Sequence, residues 1–160
     1  MKKYQILALS LMMAMGIAAP VTASAQKEEM SLAVNGGYAS ANESGYANVS
    51  FNYTFANHFR LAPDIGYVFR NEGASAFMLD VDMHFPFRVA KGVGLYPLVG
   101  FASNNWSCEH HDSASRAGAN FGGGLDLYMT SNLKLNLQCK YTLVNDMSGV
   151  YVGMGIGYIF

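Results

Sequence analysis

Asp64, Asp80, Asp82 and His84 bring three carboxylates and an imidazole into one short stretch of this chain. Such groups at close quarters can hold a cation or exchange protons with a substrate. Their spacing matches no strict ligand pattern, and one fold-dependent cluster is all they offer. A second set, Trp106, Cys108, Glu109, His110, His111, Asp112, Ser113 and Ser115, crowds a polar segment. There a histidine base, a serine nucleophile and an acidic orienter would suit acyl chemistry, and the His pair with Cys108 would suit weak Zn²⁺ capture. Adjacent residues on a loop rarely converge as a triad must, so a solvated loop meeting a partner is the plainer expectation.

What positions these residues is a period of two. Eight segments alternate apolar and polar residues between turn-forming clusters: 30–38, 46–55, 59–69, 76–87, 93–102, 117–128, 133–143 and 150–160. The second is the cleanest, with Val49, Phe51, Tyr53 and Phe55 against Asn48, Ser50, Asn52 and Thr54. The fifth is less regular, because Tyr96 and Leu98 share its expected inner face. The last sets Val150, Val152, Met154, Ile156, Tyr158 and Phe160 against Tyr151, Gly153, Gly155, Gly157 and Ile159. Joins after the second, fourth and sixth segments are tight. Those after the others are longer, and 103–116 is the longest and most polar.

Residues 1–25 read as a cleaved export signal: Lys2 and Lys3, an apolar run from Ile6 to Ala19, then the small residues Ala23, Ser24 and Ala25. One domain is expected over 26–160. It carries no further apolar run of transmembrane-helix length. Losing the two lysines moves the formal charge from −1 to −3, a mild value that argues against a nucleic-acid partner. Cys108 and Cys139 are the two cysteines, too few for a disulfide framework, and both are expected to be free.

Alternation alone does not say which face points out. A soluble barrel would turn its apolar face inward around a ligand. Three features favour the inverse. One face is almost uncharged along all eight segments, aromatics such as Phe55, Phe59, Phe85 and Tyr158 gather near segment ends, and glycines crowd the polar face where a narrow lumen leaves little room. With Ala23 and Ala25 at the cleavage site, eight amphipathic segments and an aromatic C-terminal residue, the chain resembles the small outer-membrane β-barrel proteins of Gram-negative bacteria, the outer-membrane protein X type.

The resemblance implies an all-β, eight-stranded antiparallel up-and-down barrel in the outer membrane. It also implies that Ile156, Tyr158 and Phe160 form the signal read by the insertion machinery. Outer-membrane lipid and lipopolysaccharide are the expected surroundings, and the expected state is a monomer. No cofactor, metal or catalytic residue is expected. The lumen would hold Arg60, Asp64, Asp80, Asp82, His84, Asp126, Lys134 and Lys140, charges that must pair in a low-dielectric interior. Folding the third segment on the fourth about Glu72 sets Asp64 opposite Asp80 and Arg60 opposite His84. Folding the sixth on the seventh about Thr130 sets Asp126 beside Lys134. Lys140 or Arg60 would offset the three aspartates. A structural or surface-interaction role leads. A small-solute pore comes second, and a lipid A-modifying enzyme working through 103–116 third.

Overall fold

The computed structural model describes residues 28–71, 73–108, 111–145 and 148–160; the expected cleavage residues Ala23 and Ala25 lie outside them. The strands are β1 (Met30–Ala39), β2 (Ser44–Ala56), β3 (Phe59–Asn71), β4 (Ala74–His84), β5 (Phe87–Ala90), β6 (Val93–Cys108), β7 (His111–Tyr128), β8 (Leu133–Val144) and β9 (Gly149–Ile159). Every pairing is antiparallel. Each strand bonds to the next along the chain except at β4–β5, and the β1–β9 and β4–β6 ladders close the ring.

Nine strands make eight staves because β4 and β5 lie end to end along β6. Strand β4 pairs with Leu98–Cys108, and β5 pairs with the β6 stretch from Val93 to Leu95. The expected fourth segment was continuous through Phe87. Pro86 interrupts it, because proline has no N–H to give the ladder. The neighbouring Phe85 N–H still reaches the Pro97 carbonyl at 2.9 Å. Closure matters for a chain with this outer face, since an open sheet edge would present a row of unpaired backbone groups where no water can satisfy them.

A second departure concerns 103–116, expected as the longest loop. Strand β6 runs on to Cys108 and β7 starts at His111, and they stay in register from Trp106–Ala114 down to Val93–Leu127. The polar segment is therefore a hairpin that extends two staves. The other joins at that end of the barrel are as short as those at the end carrying Met30 and Phe160, so the expected asymmetry lies in strand length. At the opposite end Gly92, with φ of 76°, lets β5 turn back into β6.

The apolar face points outward. Leu32, Val34, Val49, Ile65, Leu79, Phe101, Val152 and Ile156 are all exposed around the wall, Val34 by 61%. A band of this extent is unsuited to water and suited to hydrocarbon. Near the end that carries Met30 and Phe160, aromatic rings touch one another, Phe55 on Phe59 at 6.0 Å and Phe59 on Phe85 at 5.6 Å, as an interfacial girdle requires. The polar face turns inward, and glycine makes the room. A Cβ on Gly153 would meet the Tyr46 hydroxyl, because Tyr46 pairs with Gly37, which pairs in turn with Gly153. The missing side chain at Gly153 leaves that space to the Tyr46 ring.

Candidate functional site in the barrel lumen

Three layers fill the interior. The layer nearest Met30 and Phe160 is built on Arg60, at the start of β3, and Lys134, at the start of β8. The Arg60 guanidinium donates to Asp126 at 2.7 Å, and the Lys134 ammonium donates to Glu29 at 2.9 Å. Lys134 also lies 3.8 Å from Asp126, and Arg60 lies 4.0 Å from Glu29, so two cations and two carboxylates form a ring. The Tyr128 hydroxyl donates to Glu29 at 3.2 Å, and the Asn136 amide to Asp126 at 2.8 Å. All four charged side chains are buried, where an ion pair survives only when its remaining hydrogen-bonding capacity is met.

The middle layer is built on Lys140 of β8. Its ammonium lies 2.6 Å from Asp80, 3.2 Å from Asp82 and 3.4 Å from Asp64. Asn120 donates to Asp82 at 2.8 Å and to Asp80 at 3.1 Å, and accepts from Thr142 at 2.7 Å. One carboxylate oxygen from each aspartate falls within 4.8 Å of the others, close enough to share an ion. Lys140 already supplies a positive charge within 3.4 Å of all three. The arrangement is an internal cation with its counter-charges.

The third layer, toward the β6–β7 hairpin, is mainly apolar: Ala39, Tyr46, Val68, Ala76, Met78, Trp106 and Tyr151 form one buried cluster. Tyr46 and Tyr151 meet edge to face at 5.5 Å. Trp106, expected on a loop, is 2% exposed inside the barrel. Cys139 is a free thiol, while the side chains of Cys108 and 111–114 lie outside the described residues, as do Glu109 and His110. Ser115 is exposed in β7.

All eight residues expected in the lumen are buried there. Asp64 sits opposite Asp80 and Arg60 opposite His84. Lys140 meets the three aspartates. The expected Asp126–Lys134 ion pair is present at 3.8 Å, but the register differs: β7 and β8 place Lys134 opposite Tyr128 and Asp126 opposite Asn136, and Arg60 is the closer partner of Asp126 at 2.7 Å. Glu29 was missed, although its place two residues before Ser31 puts it in phase with the inward face of β1. His84 stacks on Tyr96 at 4.4 Å instead of joining the carboxylates. Ile156, Tyr158 and Phe160 stand exposed on the outer side of the closing stave.

Known barrels share this fold. The N-terminal β-barrel domain of Pseudomonas aeruginosa OprF superposes with a TM-score of 0.68 at 20% identity, covering 84% of this chain and 98% of that one. Neisserial surface protein A gives 0.66 at 15%, covering 82% and 96%. Ail, the attachment invasion locus protein of Yersinia pestis, gives 0.63 at 18%, covering 84% and 100%. No curated protein matches the chain in sequence. Residues 8–160 match the outer membrane protein beta-barrel domain family, whose place is the bacterial outer membrane. The closed eight-stave ring with lipid-suited walls agrees with that match, and the chain belongs to this family of outer-membrane β-barrels.

Proposed function

We propose that the protein is a non-enzymatic, non-conducting outer-membrane barrel that works as a structural element and through contacts at the cell surface. The observation that carries this reading is the filled lumen. An ion would have to displace the Arg60–Lys134–Glu29–Asp126 ring, then Lys140 and its aspartates, then the apolar cluster around Trp106. Small barrels filled by side chains are cores, not channels. The end with Met30 and Phe160 faces the periplasm, and the β6–β7 hairpin reaches outward. Strand β7 continues past Gly118, its last pairing with β8, so this hairpin is the natural contact element. Two of the similar barrels, an attachment protein and a surface protein, carry names consistent with work at the surface.

The same reading has Ile156, Tyr158 and Phe160 recognised by the insertion machinery, lipid and lipopolysaccharide around a monomer, and residues 1–25 removed on export. Conductance of the purified barrel in planar bilayers tests it. Silence is expected across the usual voltage range. Reproducible unitary steps would replace this reading with the small-solute pore.

A further inference from the structure

Between the two charged layers lies a cavity of about 10 Å³, lined by Asn35, Asp64, His84, Tyr96, Asp126 and Asn136 among others. That volume is room for one water molecule and no more. The same residues carry polar atoms that the protein leaves without partners: both ring nitrogens of His84, Oδ1 of Asn35 and Oδ1 of Asp64. Each belongs to a side chain more than nine-tenths buried. Buried polar atoms in native proteins are hydrogen-bonded, to ordered water where protein groups do not reach them.

His84 keeps its ring plane by stacking on Tyr96, whose ring lies parallel to within 16° at 4.4 Å. Tyr96 is held in turn, accepting from Asn136 at 2.6 Å and carrying the Arg60 guanidinium 5.6 Å from its ring centre. The imidazole is therefore held in the cavity lining, and both of its nitrogens lack a protein partner.

We propose that this cavity is a binding site for a single structural water, held by a His84 ring nitrogen and by an oxygen of Asn35 or Asp64. The water joins the Arg60–Lys134 layer to the Lys140 layer. It is a component of the core, and it explains an imidazole that pairs with neither cluster. Asp64 then has two roles, one oxygen toward Lys140 and the other toward the water.

A high-resolution crystal structure of the wild-type barrel tests this directly. The expected result is one ordered solvent peak in the cavity, about 2.7–3.2 Å from a His84 nitrogen and from Asn35 or Asp64. A cavity without density, in a map that shows other buried waters, would overturn the proposal. So would a peak out of reach of both His84 nitrogens. In His84→Phe, which keeps a ring on Tyr96 and removes both nitrogens, the peak should be lost or its occupancy at least halved. Full retention there would also refute the assignment. If that variant does not fold, water-to-imidazole magnetisation transfer in the wild-type barrel in micelles gives an independent reading. A long-lived water cross-peak to the His84 ring supports the site, and its absence on an assigned ring removes it.

Discussion

Tyr96 of β6 faces Gly124 of β7 across their ladder, and its ring occupies the space a side chain at 124 would need. A Cβ there would collide with Cζ and the hydroxyl oxygen of Tyr96, and it would also press on the Leu137 carbonyl at 2.6 Å. The pair shows how a narrow barrel is filled: a long side chain on one stave lies over bare backbone on the next. Lys134 does the same over Gly157, where a Cβ would meet its stem at 3.2 Å.

Gly124→Ala should therefore lower stability by about 1–3 kcal/mol, the cost of overpacking a filled core. Tyr96→Ala should also destabilise, by opening a cavity, and the double variant should cost less than the sum of the two. Residues in contact are non-additive in this way. Urea midpoints of barrels refolded into detergent or lipid would give all three values, and strict additivity would contradict the packing described.

Lys140 and Asp80 differ in how much depends on each. Removing Lys140 as Lys140→Met leaves three buried carboxylates without their cation, a loss of about 3–5 kcal/mol for breaking a buried pair from one side. Asp80→Ala leaves Lys140 still within reach of Asp64 and Asp82, so it should cost clearly less. Adding Asp80→Asn to Lys140→Met should restore part of the loss. Export of Asp80→Ala should be unchanged, and band position on unheated gels would follow folding in each variant. Equal losses in the two single variants would mean that Lys140 is not the hub.

The faces and the register of β3 on β4 were legible in the sequence, and the register of β7 on β8 was not. Both follow from the period of two. A slip of one residue turns every side chain to the wrong face, so hydrophobic pattern forbids it, but a slip of two keeps the faces and escapes notice. The turn about Glu72 was centred correctly. The turn between β7 and β8 is centred one residue later than Thr130, so Lys134 faces Tyr128 across the ladder and still reaches Asp126 at 3.8 Å. The 103–116 segment was hidden for another reason. Here the outer face turns polar, with Ser103 and Asn105, while the inner face mixes Asn104 with Trp106, so no regular hydropathy alternation remains. Asn104 and Trp106 are buried there, while Phe101, Ser103 and Asn105 lie on the other side.

Trp106 is the chain's one tryptophan, which makes its placement measurable. Packed among Tyr46, Val68, Met78 and Tyr151, it should emit at short wavelength and resist quenching by iodide from water. Brominated lipid should quench it weakly, because the wall stands between the ring and the chains. Moving the fluorophore outward, as Trp106→Phe with Phe101→Trp, should make lipid quenching strong, since Phe101 is 56% exposed on the outer wall. Strong iodide quenching of the native protein would put Trp106 back on a solvated loop.

A row of apolar residues crosses the wall at mid-height: Ile65 pairs with Val49, Val49 with Val34, and Val34 with Ile156. All four are exposed on the outside, and their strands extend several residues beyond them in both directions. This row should therefore lie near the middle of the hydrocarbon. A charge there has no water to solvate it, and arginine at a barrel's midplane costs about 2–4 kcal/mol, falling to 0–1 near the interfaces. Val34→Arg should pay nearly the full penalty. Phe59→Arg, on the girdle at the end carrying Met30 and Phe160, should pay little of it. Ser50, beside Val49 but lining the lumen cavity, offers a control of opposite logic, because Ser50→Val should leave lipid partitioning unchanged and act only through the interior. Refolding titrations in bilayers of defined thickness would rank the three. If Val34→Arg were tolerated as well as Phe59→Arg, the apolar band would not be facing lipid.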